Sequence, residues 1–155
     1  MVEGAREPIM TGGCQCGAVR YALYAEPRHT SICHCRMCQK AFGNYFAALT
    51  GVRSQDFAWT RGQPGLFKSS EAVERGFCRD CGTPLSFRYV DSNRMLVSVG
   101  SLDEPAGVSP EIQYGIESRL PAFAILHDLP GETSSEGVTP DQLAKRASRQ
   151  HPDHD

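Results

Sequence analysis

All seven cysteines of this chain lie in three short stretches, Cys14-Gln15-Cys16, Cys33-His34-Cys35-Arg36-Met37-Cys38 and Cys78-Arg79-Asp80-Cys81-Gly82. Thiolates two or three residues apart can converge on one ion, because the turn between them directs both sulfurs to the same side. Structural zinc is held by four such ligands, whereas catalytic zinc keeps three protein ligands and one open position. Seven cysteines therefore suggest one site of four sulfurs and one of three.

Length and composition indicate a single globular domain. The chain has 155 residues and a mass of 17.0 kDa, with 40% hydrophobic and 22% charged residues, which is ordinary for such a domain. Its formal net charge of −2 argues against binding to nucleic-acid phosphates, since proteins that do so are normally basic. We therefore expect no nucleic-acid partner.

Several features predict a cytoplasmic protein. No stretch approaches the roughly 18 apolar residues that cross a bilayer, so no membrane partner is expected, and residues 1–8 lack the apolar segment of a signal peptide. Clustered cysteines in a reducing compartment are metal ligands more often than disulfides. A thiol-based redox or metal-buffering protein and a nucleic-acid zinc ribbon are alternatives, although neither a βαβ pattern nor a basic stripe accompanies the motifs.

Alternating apolar and polar residues predict a mostly β fold. In residues 18–24, the side chains of Val19, Tyr21 and Leu23 share one face of a strand. Further strands are predicted at residues 45–50, 57–60, 66–69, 74–77, 85–89, 95–99 and 112–116. Turn-forming residues separate these runs, which favours antiparallel sheets.

Two helices and one boundary are also predicted. Residues 36–42 are expected to form a short helix that ends at Gly43. Residues 131–137 have the composition of a flexible linker, and Thr139-Pro140-Asp141-Gln142 is a helix-start signal for a helix to about residue 149. We therefore divide the chain into a zinc-binding β domain at residues 1–130 and a linker, short helix and polar tail at residues 131–155.

The cysteines can be grouped by their positions beside the predicted strands. Cys14 with Cys16 and Cys78 with Cys81 each offer two sulfurs, and pairing them closes a structural four-thiolate zinc site. Cys33, Cys35 and Cys38 then form a catalytic zinc site with one open position. An alternative joins Cys33 and Cys35 to Cys78 and Cys81 and leaves Cys38 to the N-terminal pair. We expect the ring of His34 to point away from the ion of its neighbours.

The same residues resemble the glutathione-dependent formaldehyde-activating enzyme family, also called the centromere-protein-V/Gfa family. The motifs that carry the resemblance are Gly13-Cys14-Gln15-Cys16-Gly17-Ala18-Val19-Arg20-Tyr21, Cys33-His34-Cys35-Arg36-Met37-Cys38-Gln39-Lys40 and Gly76-Phe77-Cys78-Arg79-Asp80-Cys81-Gly82-Thr83-Pro84-Leu85. The likeness extends over about residues 9–130. It implies a β-tent fold of antiparallel sheets around zinc, the first of the two groupings, and carbon–sulfur lyase activity on S-hydroxymethylglutathione, the adduct of glutathione and formaldehyde.

The chain departs from the family pattern at two positions. Relatives commonly carry Trp where Ala122 stands, followed here by Phe123, and often carry His where Gln113 stands. We expect both positions to lie in C-terminal strands away from the ligands, so that they alter the pocket and not the metal sites. Because no His-Glu pair or paired carboxylates supply an obvious general base, a non-catalytic zinc-binding module for a protein partner is the alternative to an enzyme.

Overall fold

Ten strands form two sheets within residues 6–154, the part of the chain that the computed structural model describes. The strands are β1 (Met10–Gly13), β2 (Arg20–Leu23), β3 (Arg28–Cys33), β4 (Ala47–Arg53), β5 (Phe57–Arg61), β6 (Gly65–Lys68), β7 (Val73–Phe77), β8 (Pro84–Tyr89), β9 (Arg94–Ser98) and β10 (Ile112–Tyr114). The smaller sheet has the order β1-β2-β5 and the larger one the order β10-β3-β4-β9-β8-β7-β6. The predicted mostly β class is confirmed, although β10 pairs with β3 in parallel.

The sequence pattern does not predict β1 or β3, because neither strand alternates apolar and polar residues. β3 buries hydroxyl groups instead, and Thr30 Oγ1 lies 2.7 Å from Thr50 Oγ1. His29, at a φ of 58°, interrupts the regular backbone of this strand. β1 contains Gly12, where a Cβ would lie 2.5 Å from the carbonyl oxygen of Ser101. Thr30 pairs a buried hydroxyl, and Gly12 allows two backbone segments to approach closely. A pattern of apolar and polar residues shows neither requirement.

The first helix agrees with its prediction and the second is shorter. Helix α1 spans Arg36–Phe42 and ends at Gly43, whose φ of 57° suits a left-handed C-cap. Helix α2 spans Pro140–Lys145 and begins with the expected capping box of Thr139 and Gln142. It stops before residue 149 because its residues are exposed, Leu143 among them, and short helices without tertiary packing are marginal.

The end of the chain returns to the body of the protein after α2. The amide N–H of His151 donates to the carbonyl oxygen of Gln15 at 2.8 Å. Its ring lies against Gly17, where a Cβ would collide with it, and Arg61 Nη1 lies 3.2 Å from its Nε2. The tail therefore covers part of the N-terminal cysteine turn.

Two hydrophobic cores each include part of one cysteine cluster. The first consists of Cys14, Val19, Tyr21, Leu23, Val52, Cys78, Leu85, Val97 and Leu102. The second consists of Cys38, Ala47, Leu49, Val73 and Phe87. Apolar packing thus holds three of the seven cysteines in place and removes them from water.

A buried ion pair joins β2 to the segment that follows β9. Arg20 Nη1 and Nη2 donate to Asp103 Oδ1 and Oδ2 at 2.9 and 2.6 Å, and the side chains are only 3% and 7% exposed. The hydroxyl of Thr11 also donates to Oδ2. Burial raises the pKa of Asp103, but the hydrogen bonds from Arg20 and Thr11 outweigh it and hold the pKa below its usual value. The ion pair is bidentate, with one hydrogen bond to each carboxylate oxygen, and it connects the smaller sheet to the segment that follows β9.

We expect Asp103→Asn to lower the free energy of unfolding by about 3 kcal/mol, because it removes the charge of a carboxylate that accepts two hydrogen bonds from the buried Arg20. The urea midpoint at neutral pH measures this loss. Since the folded-state pKa of Asp103 is depressed, its contribution is present above the pKa of the unfolded chain and is lost as pH falls through the folded-state pKa. The midpoints of variant and wild type should therefore converge on acidification.

Asp141→Asn is the matched control, because Asp141 pairs with Lys145 on the exposed surface of α2 at 2.8 Å. This variant should keep the wild-type midpoint. Equal midpoints for Asp103→Asn and wild type at neutral pH would show that the ion pair does not stabilise the fold.

None of the helices within residues 6–154 has the length and apolar content that a bilayer crossing requires. Residues 1–5, which belong to the stretch for which we expected no signal peptide, and residue 155 lie outside the described residues.

Candidate metal centres

The first cluster brings together the sulfurs of Cys14, Cys16, Cys78 and Cys81, all within 4.8 Å of one another. Two of the separations are 3.5 Å, from Cys14 to Cys16, and 3.7 Å, from Cys16 to Cys78. Tetrahedral zinc with sulfur bonds of about 2.3 Å places sulfurs about 3.8 Å apart. The four sulfurs therefore fit one zinc ion in their present positions, and Cys33 and Cys35 lie in a separate cluster. Zinc ligation by these residues stays a prediction.

Two similar turns build this cluster. Cys14 directly follows β1, and the Gly17 N–H donates to the Cys14 carbonyl oxygen at 3.0 Å; Cys78 directly follows β7, and the Gly82 N–H donates to the Cys78 carbonyl oxygen at 3.0 Å. Both glycines have a left-handed φ, 78° and 77°, which other residues rarely adopt. Since β1 belongs to the smaller sheet and β7 to the larger one, the cluster joins the two sheets.

Thr83 links the two turns. Its Oγ1 accepts the N–H of Gln15 at 3.0 Å and lies 3.1 Å from Cys81 Sγ, to which the hydroxyl can donate. Burial raises the pKa of Cys81, but the hydrogen bonds from Thr83 and Cys16 outweigh it and lower the pKa to about 6. Cys81 therefore loses its proton more readily than an ordinary cysteine, and the thiolate is the form that binds metal.

The second cluster holds the sulfurs of Cys33, Cys35 and Cys38 within 4.8 Å of one another. Cys33 ends β3, Cys35 is the N-cap of α1, and Cys38 lies inside that helix. The Cys38 N–H donates to Cys35 Sγ at 3.4 Å, so the turn that starts the helix also orients a sulfur. Among the residues that the structure describes, no His, Asp, Glu or further Cys joins this group. The arrangement fits a metal with three protein ligands.

Arg75 is the one charged residue of β7 that is buried beside this cluster. Its Nη2 donates to Cys38 Sγ at 3.4 Å, and the residue is only 7% exposed. Burial raises the pKa of Cys38, and the hydrogen bond and charge of Arg75 oppose that rise. The motifs do not reveal Arg75. One signal was present, since Arg75 lies two residues before the apolar Phe77 on the strand predicted at residues 74–77, and residues two apart share one face of a strand.

His34 points away from the three sulfurs, as the sequence predicts. It is fully buried, with its Nε2 2.8 Å from Gln113 Oε1 and its ring 4.7 Å from that of Phe123. The expectation that positions 113 and 122 lie in strands away from the ligands is therefore wrong for Gln113, which contacts the residue between Cys33 and Cys35. Ala122 lies not in a strand but in the 3-10 helix Pro121–Asp128. Parallel pairing of β10 with β3 puts Tyr114 opposite Cys33, and this long-range pairing cannot be inferred from the local sequence.

Gln39 ties the same loop to the segment after β10. Its side chain is buried, and its Nε2 donates to the carbonyl oxygens of His34 and Ser118 at 2.7 and 3.0 Å. These bonds hold the backbone between Cys33 and Cys35 in place. No spacing rule singles out a glutamine for this role, so sequence analysis missed it.

The family model described as glutathione-dependent formaldehyde-activating enzyme matches residues 9–118, which include all seven cysteines. The chain belongs to this family. The match ends before residue 130, the limit drawn from the motifs. It includes both clusters and Arg75, and it places Phe123 outside the matched segment.

The chain is also similar to one named protein and to one protein of known structure. A Schizosaccharomyces pombe protein named an uncharacterized lyase is 31% identical over 84 residues, which are 54% of this chain and 61% of that protein. The match thus spans less than two thirds of the relative's length. A crystal structure of a Rhodobacter sphaeroides protein is similar with a TM-score of 0.53 and 26% identity, covering 68% of this chain and 99% of that one. Family and fold agree with the predicted β-tent class.

Proposed function

We propose that this protein is a zinc-dependent carbon–sulfur lyase-type enzyme that acts on a small aldehyde–thiol adduct such as S-hydroxymethylglutathione. The observation that carries the proposal is the three-sulfur cluster, for which the described residues offer no fourth ligand. A structural role alone would favour a closed site of four ligands, and the other cluster has that composition. Membership of the formaldehyde-activating family and the lyase-named relative support the reaction class.

The proposal gives each cluster one role. Cys14, Cys16, Cys78 and Cys81 hold a structural zinc ion, and Cys33, Cys35 and Cys38 hold a catalytic one. When bound, the second ion supplies a Lewis acid and an exchangeable position for a thiolate at neutral pH. We further propose that the β domain spans residues 1–130, that residues 131–155 are a linker, helix and tail, and that the enzyme works in the cytoplasm.

A basic groove beside α1 supports a glutathione-like thiol as substrate. An open groove of about 540 Å³ is lined by Arg36, Gln39, Lys40, Gly43, Asn44, Tyr45 and Leu120. Arg36 and Lys40 belong to the helix that carries Cys38. Glutathione has two carboxylates, which arginine and lysine bind through charge-assisted hydrogen bonds. The groove would hold the peptide part of the substrate while its sulfur reaches the cysteine loop.

We expect the protein to accelerate exchange between free formaldehyde and its glutathione adduct by at least about tenfold over buffer, a small part of the enhancement that enzymes reach. Exchange spectroscopy by NMR measures this rate at equilibrium without a coupled assay. Addition of glutathione to cobalt-substituted protein should shift the sulfur-to-cobalt charge-transfer band, because the thiol sulfur adds to the ligand set.

Protein with only the four-cysteine site filled is the control, and it should give the buffer rate. A cobalt spectrum that does not respond to thiols, together with exchange no faster than in buffer, would reject the enzyme. That result would favour the non-catalytic zinc-binding module.

A further inference from the structure

Arg75 is a buried cation, and among the described residues the three-cysteine cluster is the one source of negative charge in contact with it. Among residues 6–154 no carboxylate lies within ion-pair distance of it, and the residue is only 7% exposed. A buried charge without a counter-charge is strongly unfavourable. The thiolates of Cys33, Cys35 and Cys38 supply that counter-charge, since Arg75 contacts the sulfur of Cys38.

Three contacts fix the orientation of the guanidinium group. Its Nε donates to Ser69 Oγ at 3.0 Å, and its Nη2 donates to Cys38 Sγ at 3.4 Å. Its central carbon lies 4.9 Å from the centre of the Phe87 ring, a distance typical of a cation–π contact. Arg75 is therefore held in one position by α1, β8 and the loop after β6.

The third nitrogen of the group, Nη1, is buried and has no hydrogen-bond partner among residues 6–154. An arginine with a purely structural role would have all its buried N–H groups satisfied, as the great majority of buried polar groups are. The other side-chain nitrogen in the same condition among the described residues is Nδ1 of His34, from the same loop as the three cysteines. Only Nη1 of Arg75 is necessarily a donor, because Nε2 of His34 donates to Gln113 Oε1 and Nδ1 is then an acceptor in the neutral ring. The acceptor missing beside this cluster is therefore that of Arg75.

Charge indicates the chemistry of that acceptor. Three thiolates and one divalent ion carry a net single negative charge, and the guanidinium cancels it. A further thiolate can then join the site without building up two negative charges in a poorly solvated place. The described residues place no other arginine in hydrogen-bond contact with the sulfurs of either cluster.

We infer that Arg75 is the anion-binding residue of the three-cysteine site: Nη2 holds Cys38, and Nη1 binds the thiolate sulfur of the incoming substrate. The inference rests on the proposed function, because it requires a metal at this site that accepts a thiol. The inference also gives the three-cysteine site a ligand specificity, because the charge of Arg75 favours ligands that bind as anions over ligands that bind as neutral molecules. The residue binds and orients the substrate thiolate before any bond is made or broken.

The test compares a thiol, which binds the metal as its thiolate and releases its proton to solvent, with a ligand that binds in its neutral form, both on cobalt-substituted protein. The spectrum of Cys35→Ser, which retains only the four-cysteine site, is subtracted to isolate the three-cysteine site. We expect Arg75→Met to weaken binding of 2-mercaptoethanol by about tenfold or more, the effect of losing a charge-assisted hydrogen bond. Binding of imidazole, a neutral ligand, should change by no more than about twofold. A merely structural role would weaken both ligands alike.

Arg88→Met is the matched control. Arg88 lies on the neighbouring strand β8, is half-exposed and pairs with Glu74 at 2.9 Å, so both ligands should bind to this variant as to wild type. Equal 2-mercaptoethanol affinity in Arg75→Met and wild type would overturn the inference while leaving the proposed function in place. A wild-type cobalt site that responds to no thiol would reject the proposed function and the inference with it.

Two milder variants test thiolate binding by Arg75 if Arg75→Met does not fold or does not take up cobalt at this site. Arg75→Lys keeps the charge but offers no planar pair of donors, and Ser69→Ala removes the hydroxyl that holds Nε. Each should weaken 2-mercaptoethanol binding by about threefold or more and leave imidazole binding unchanged. Wild-type thiol affinity in both variants would overturn the inference.

Discussion

Cys81→Ser is expected to abolish the stable fold of this protein. The four-cysteine cluster joins β1 of the smaller sheet to β7 and β8 of the larger one, and Cys14 and Cys78 are part of the main core. A structural zinc ion contributes about 10 kcal/mol or more at neutral pH, which is comparable with the total stability of a domain, about 5–15 kcal/mol. Loss of one ligand forfeits much of this contribution.

The expected result is insoluble protein or a melting temperature lowered by tens of degrees, with loss of zinc from this site. Zinc analysis and circular dichroism of the soluble fraction measure both effects. The same substitution at Cys35, in the other cluster, is the matched control. If Cys81→Ser kept the wild-type zinc content and melting temperature, the four cysteines would not form a structural site.

Cys35→Ser is expected to keep the fold and to lose all activity. The three sulfurs of its cluster come from one short loop, so less of the chain depends on their convergence than in the other cluster. Cys35 is also the N-cap of α1, and its sulfur accepts the Cys38 N–H. Serine is among the best N-cap residues, so the helix start should survive the substitution.

We therefore expect a far-UV spectrum and melting temperature close to wild type, one metal ion fewer per chain, and formaldehyde–glutathione exchange at the buffer rate. Metal analysis and NMR exchange spectroscopy on the same sample measure these quantities. Met37→Ser, at an exposed position between Cys35 and Cys38, serves as the control and should retain both ions. Global unfolding of Cys35→Ser would instead give the second cluster a structural role.

The grouping of the sulfurs could be predicted in large part because it depends on residues close together in the chain. Cysteine spacing and a following glycine determine each turn, as Gly17 and Gly82 show, and Gly43 determines where α1 ends. The choice of partners between distant pairs was also predictable, since three sulfurs in one loop leave the remaining two pairs for each other. Zinc identity and ligation stay predictions until metal is measured.

Other features could not be predicted because they depend on residues far apart in the chain. Arg75 reaches Cys38 across 37 positions, and Gln113 reaches His34 across 79. The first contact arises from the packing of α1 against the larger sheet and the second from the pairing of β10 with β3. Both bring together segments whose local sequences carry no sign of each other. For the same reason the parallel pairing of β10 with β3 and the contact of His151 with Gln15 were absent from the sequence analysis.

The sequence by itself determined that this is a mostly β protein with cysteines in groups of four and three, because alternation, turn geometry and ligand chemistry are local properties. Its three cysteine motifs also carried the resemblance to the formaldehyde-activating family. The tertiary structure alone decided which side chains surround those sulfurs. Burial and strand register place the charge of Arg75 beside Cys38 and leave its Nη1 without a partner among the described residues. The electrostatic character of the three-cysteine site therefore depends on the position of β7 relative to α1, which only the folded chain establishes.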